Sequence, residues 1–221
     1  MYINLRSVEV IIEKLHQLQT NYQSNKALIL TESDLKCQLF RLIYELFPID
    51  NSTFSEEITG CAVHSEVKFF DEDGKLTLVP DIIIVNTENI SIYHSTEYVF
   101  KKGIPQYRSN PSKNFTIAGG AILIELKFCR DKIGINDTDI ISYQNDINKM
   151  IRIKEIIERQ TSGEEKVYGI FAAFNKTNNG NEKFQEFRQN NIINEDINIF
   201  YGTGLVDFNN TTQFPFSNLD E

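Results

Sequence analysis

An apolar strand that ends in two charges constrains this chain more than any other stretch. Residues 119–128 read Gly-Gly-Ala-Ile-Leu-Ile-Glu-Leu-Lys-Phe. Strand side chains alternate, so Glu125 and Lys127 share one face while Ile124, Leu126 and Phe128 share the other. A carboxylate and an ammonium at the end of an apolar strand are costly to bury unless they are paired or used. A second strand of this kind lies upstream, Leu78-Val79-Pro80-Asp81-Ile82-Ile83-Ile84-Val85, with one carboxylate, Asp81, before four apolar residues. A chain with two such strands needs a core covered on both sheet faces. The 221 residues suffice for one domain of that kind.

The elements around these strands predict an α/β fold. Ile11, Ile12, Leu15 and Leu18 recur at helical spacing between Val8 and Tyr22. Thr31 with Asp34 three residues on approximates a capping box for a helix carrying Leu35, Leu39, Leu42, Ile43 and Leu46, which Pro48 stops. Two extended runs, 62–70 and 76–85, flank the turn signal Asp73-Gly74 and predict a hairpin. A long helix is expected from Asp137 to Gln160, then a buried strand over 167–174. A helical crossover of that length favours parallel pairing of the strands it joins. A short helix near Asn181–Gln189 and a last strand ending near Tyr201 complete the order. The reading is a central mixed β-sheet flanked by helices on both faces.

Pro80, Asp81, Glu125 and Lys127, each pair on an apolar strand, with a helix before them and a helix plus strand after, resemble the PD-(D/E)XK nuclease superfamily. The resemblance covers roughly Thr31 to Phe174. It implies a restriction-endonuclease-like core and a Mg²⁺-dependent endonuclease acting on DNA, in a defence, repair, recombination or mobile-element setting, with Mn²⁺ able to substitute. It implies that Asp81, Glu125 and the backbone carbonyl of Leu126 hold the metal, and that Lys127 serves as general base or orients the attacking water. It also offers Glu32 as an additional acid near the metal, although a carboxylate at a helix N-terminus is favourable in its own right. Two other readings stand beside it. The charges could form a structural ion pair capping the sheet, or the chain could be a catalytically silent relative that scaffolds nucleic acid or a protein. The presence of Asp81, Glu125 and Lys127 together argues against the silent form.

Counting outward from a two-residue Asp73-Gly74 turn sets Glu66 opposite Asp81. Like charges directly opposite in a sheet repel, so Glu66 becomes a candidate third acid of the catalytic metal site. A bulge at Pro80 would turn it to the other face.

The net charge of −9 is unusual for a nucleic-acid binder. Its distribution is uneven: seven bases face three acids from Glu97 to Lys132, and 191–221 holds five acids and no base. The segment 87–118, rich in Pro, Gly and aromatic residues, reads as an insertion with a short hairpin around Thr96–Phe100 and Asn114–Ile117. Its Lys101, Lys102, Arg108 and Lys113, together with Lys149 on the long helix, are the nucleic-acid-binding candidates. Domain boundaries follow: residues 1–30 as a helical appendage packed on the core, 31–202 as the nuclease-like domain, 203–221 as an acidic tail. A protein partner or homodimer is compatible with that tail.

Cys37, Cys61 and Cys129 have no paired metal spacing and predict reduced core thiols of a cytoplasmic protein rather than zinc ligands. Gly119-Gly120 precedes a strand rather than a helix, which excludes a phosphate-binding loop. No strand-turn-helix serine motif is present, and His64 and His94 lack partners at metal spacing.

Overall fold

The computed structural model describes residues 3–205, except 55–58, 72, 74, 93–95, 102–103, 110–114, 118, 162 and 192–194; for 91–116 it describes backbone only. The acidic run 206–221 lies outside the described residues.

Among the described residues, four α-helices and a five-stranded sheet build the fold. The helices are α1 (Leu5–Ser24), α2 (Glu32–Tyr44), α3 (Asp137–Gln160) and α4 (Asn181–Asn191). The sheet strands are β1 (Val63–Ser65), β2 (Ile82–Val85), β3 (Ala121–Cys129), β4 (Val167–Asn175) and β5 (Ile197–Thr203), in the spatial order β5-β4-β3-β2-β1. The α3 crossover makes β3 and β4 parallel, and β5 continues parallel to β4. On its other side β3 pairs antiparallel with β2, and β2 with β1. The sheet is therefore mixed, as expected.

The first three helices start at capping boxes with a short N3 side chain: Asn4 with Ser7, Thr31 with Asp34, Asn136 with Asp139. Each satisfies two backbone N–H groups that the first turn leaves without partners. All nine residues of β4 are buried, which suits a strand covered on both faces.

Each sheet face has its own apolar layer. Ile82, Ile84, Ile122, Ile124 and Leu126 meet α1 and α2 on one side. Ile83, Val85, Ala121, Leu123 and Cys129 meet α3 and α4 on the other. The parity places Glu125 and Lys127 on the α3 side. The segment expected as an appendage is half the cover of its face: Ile11 and Leu15 have no exposed surface, and Leu18 and Tyr22 are buried with them. Leu15→Ala should therefore cost about 2–5 kcal/mol, the range for emptying a core leucine site. Chemical denaturation measures it; a loss below 1 kcal/mol would return α1 to the status of an accessory.

The expected hairpin is broken into short pieces. Phe69 pairs with Leu78, but a bulge sets Phe70 opposite Leu76, and Asp71 closes on Lys75 by a backbone bond of 2.8 Å. The insertion pairs differently from expectation. Thr96–Lys101 pairs with Ile104–Ser109, while Phe115–Ile117 returns to Ile90–Ile92. A two-residue connection costs less closure entropy than a long one. Of the three cysteines expected in the core, Cys129 is buried, Cys61 is half-buried and Cys37 is exposed. Among the described residues no helix is long and apolar enough to cross a membrane.

Candidate functional site

The site forms where β2 begins and β3 nears its end. The β2–β3 register pairs Ile82 with Ile124, so Asp81 and Glu125 are the next residues in line on adjoining strands. By strand parity both belong to the α3 side. Two carboxylates so placed repel, and the surroundings respond to each separately.

Asp81 is tied to backbone. Its Oδ2 accepts a 2.8 Å hydrogen bond from the Leu126 N–H, which the ladder would otherwise have paired with β2. That bond also shows that Leu126 turns its peptide groups towards β2. Two steps beyond Ile82 the register reaches Pro80, and proline has no N–H to give the Leu126 carbonyl. The residue sequence thus withholds a ladder donor from the oxygen that the resemblance names as a ligand.

Glu125 is enclosed. It is 2% exposed. The Lys149 ammonium, from α3, lies 2.8 Å from its Oε1, and the same ammonium lies 3.0 Å from Asp146 Oδ1. Lys127 reaches Asp146 Oδ2 at 3.0 Å and Glu32 Oε1 at 3.8 Å, and Glu32 Oε2 accepts from the Phe128 N–H. Asp146 therefore sits between two ammonium groups. Proximity is not alignment here: Glu125 Oε1 and Asp146 Oδ2 are buried and receive no hydrogen bond of good geometry.

Burial raises the Glu125 carboxyl to about 8; Lys149 opposes the rise, and Asp81 and Asp146 add to it. One lysine does not restore an ordinary carboxylate, so at neutral pH a proton competes for this group. Lys127 and Lys149 behave oppositely. Burial acts to lower each, but the carboxylates around them more than offset it and hold both above the ordinary lysine value. The acids around Lys127 and Lys149 thus favour the charged form of both.

The predicted residues fare differently. Asp81 and Lys127 each lie close enough to Glu125 to act on it electrostatically, and Glu32 lies 3.8 Å from Lys127. Glu66 does fall opposite Asp81, donating its N–H to the Asp81 carbonyl at 3.1 Å. Its backbone, however, has φ 55, and its side chain, 64% exposed, bonds the Lys36 ammonium. A left-handed residue leaves the pleat, so its side chain leaves the face that the count assigned. Lys36 also lies 3.8 Å from Asp81 Oδ1 and supplies the cation between the two acids. Lys149, expected to meet nucleic acid, has its ammonium engaged by Glu125 and Asp146 instead. Lys101 and Arg108 lie on the Thr96–Ser109 hairpin, and Lys102 and Lys113 lie outside the described residues.

Lys36 and Asp146 were missed as members of the site. A signal for each was present. Lys36 follows Glu32 by four residues and Lys149 follows Asp146 by three, so each pair occupies one side of its helix.

Comparison with protein-family models, with characterised proteins and with solved structures returns no match for this chain.

Proposed function

We propose that this protein is a divalent-metal-dependent nuclease of the PD-(D/E)XK type with a restriction-endonuclease-like core, hydrolysing phosphodiester bonds in DNA. The observation that carries the reading is the pairing of Asp81 with the buried Glu125 at the ends of adjoining strands, with Lys127 on the same face. The order α2, β1, β2, β3, α3, β4 agrees with it.

The donor set fits Mg²⁺ or Mn²⁺. Carboxylate and carbonyl oxygens are hard ligands, and Glu125 Oε1 and Asp146 Oδ2 are each buried with a lysine ammonium, at 2.8 and 3.0 Å, that an ion would displace or share. Among the described residues no three Asp, Glu, His or Cys side chains converge on one point. Mg²⁺ does not require that, since it commonly takes one or two carboxylates and completes its shell with water and substrate oxygens. Asp81, Glu125 and the Leu126 carbonyl would hold it. Bound there, the ion would polarise the phosphoryl oxygens and lower the pKa of a bound water.

The chain's own residues supply the rest. The Leu126 N–H fixes Asp81 Oδ2, and Oδ1, which the Lys36 ammonium approaches to 3.8 Å, is the oxygen that would meet the ion. Asp146 holds Lys127 at 3.0 Å, so its charge is positioned to orient the attacking water and to balance charge developing on phosphate. Lys101, Lys102, Arg108 and Lys113 are the bases proposed to meet flanking phosphates.

One observation favours a second reading. Every acid of the site already has a lysine or a backbone N–H for company, which suits a silent scaffold whose lysines replace the ion. Purified protein incubated with supercoiled, linear and single-stranded DNA separates the two. Cleavage with Mg²⁺ or Mn²⁺ that stops with chelator is the expected result. No cleavage of any form with either ion, together with no heat of metal binding, would establish the silent reading.

A further inference from the structure

The outer side of α2 carries a groove that the metal-site reading does not use. Leu35, Leu39 and Ile43 face the core. Cys37, Phe40, Arg41 and Tyr44 then fall on an adjacent stripe at helical spacing. Between this stripe and Ser65, at the end of β1, lies a groove of about 420 Å³, within the size range of small-ligand sites. Its floor is a stacked aromatic pair, Phe40 and Tyr44, with ring centroids 5.3 Å apart and planes 25° from parallel. Both rings are partly exposed.

The groove runs into the site described above. Lys36 lines it, and the same Lys36 ammonium lies 3.8 Å from Asp81. Exposed Arg41 lines it one turn further on, and exposed Glu45 marks its far rim. Phe40 and Tyr44 give the groove its aromatic surface, Lys36 stands towards Asp81 and is shared with Glu66, and Arg41 and Glu45 stand one turn apart further along α2. Such a lining suits a flat, neutral ring laid against Phe40 and Tyr44.

We propose that this groove is a nucleobase subsite: it takes an unpaired base of the strand whose phosphodiester lies at Asp81 and Glu125. The inference rests on the nuclease reading and adds a substrate class to it. Aromatic floors accept any base, because every base has a π-face. A base inside a duplex is already stacked on both sides and reaches a protein ring only when unpaired or turned out. The substrate is therefore single-stranded, or a duplex end, flap or junction with unpaired bases beside the cut.

Cys37 allows a test that needs no turnover. It is the exposed cysteine and lines the groove, whereas Cys61 is half-buried and Cys129 is buried. The full chain, with Ca²⁺ in place of Mg²⁺, is alkylated with a maleimide, and modification of Cys37 is followed by peptide mass spectrometry. A short oligothymidylate at saturation should slow the reaction at least about fivefold, and inorganic phosphate should not. Phe40→Leu and Tyr44→Leu keep apolar bulk against the core and remove the rings. Each should weaken oligothymidylate binding about tenfold, the scale of one lost base stack, with an unchanged melting temperature. Unslowed alkylation of Cys37 with the oligonucleotide bound, or parental affinity in both leucine variants, would overturn the subsite. If Asp81-dependent cleavage occurs while Cys37 stays unprotected, the subsite fails alone. If Cys37 is protected and no DNA form is cut with Mg²⁺ or Mn²⁺, the subsite stands and the nuclease reading fails. If the oligonucleotide does not bind, the subsite fails, and the cleavage assay decides the nuclease reading separately.

Discussion

Asp81→Asn and Glu125→Gln should each lower DNA cleavage about a thousandfold or more and leave the fold intact. A bound divalent ion contributes several kcal/mol of transition-state stabilisation, and each 1.36 kcal/mol is a factor of ten in rate. Asparagine keeps an oxygen to accept the 2.8 Å bond from the Leu126 N–H, so the β3 end stays tied. Glutamine keeps the shape of a side chain that is 2% exposed. Both variants should also lose the calorimetric heat of Mg²⁺ or Mn²⁺ binding. Circular dichroism and the melting temperature report whether the fold survives. Two variants that bind metal and cut DNA like the parent would end the nuclease assignment.

Stability should fall as pH rises through neutrality, and Glu125 should be the reason. Its carboxyl ionises at an ordinary 4.5 when unfolded and near 8 in the native chain. Between these values the native state holds a proton that the unfolded state has released. The stabilisation from this group is complete below the unfolded value and is lost as pH climbs through the native one. The change is of the order of a few kcal/mol. Other acids, among them Asp34, Asp71 and Asp196, shift the opposite way, so the informative quantity is the difference between parent and Glu125→Gln. Without metal, the glutamine variant should gain on the parent from pH 5 to pH 8 and exceed it at pH 8. Mg²⁺ at pH 8 should then stabilise the parent and not the variant, since an ion that binds only the folded state raises stability. Parallel pH profiles in urea denaturation would show that Glu125 is not the titrating group.

The parts of the fold written in periodicity were legible in the sequence. The apolar run 121–124, the helix from Asp137 and the buried strand from Val167 each carry a pattern that only one element type satisfies. From these alone came the parallel β3–β4 pair and the face shared by Glu125 and Lys127. The count from the turn also set Glu66 opposite Asp81, although a bulge near Phe70 changed the turn itself. What the count did not show is that the Glu66 carboxylate is largely exposed and meets Asp81 through the Lys36 ammonium they share. A single left-handed residue reverses the inference from register to face, and no propensity marks glutamate for that conformation. Pairing inside 87–118 was illegible for another reason: several short β-prone segments there could pair in more than one way. Lys36 and Asp146 were overlooked because charged residues on a helix usually face water. Only the docking of each helix on its own sheet face turns those two towards charges at the strand ends, Lys36 to Asp81 and Asp146 to Lys127.

The Leu126–Asp81 bond joins residues 45 apart in sequence, and the Phe128–Glu32 bond joins residues 96 apart. Contacts so distant form only after large loops have closed, and closing them slows folding. The charged cluster draws on α2, β2, β3 and α3, so none of these elements alone reproduces it. A nascent chain released before α3 has emerged would have Glu125 without Lys149 and Lys127 without Asp146. Competence at this site is therefore a late event in the life of the molecule. A truncated or half-folded copy therefore lacks the assembled charge cluster, and the full chain acquires it only when its last partners have docked.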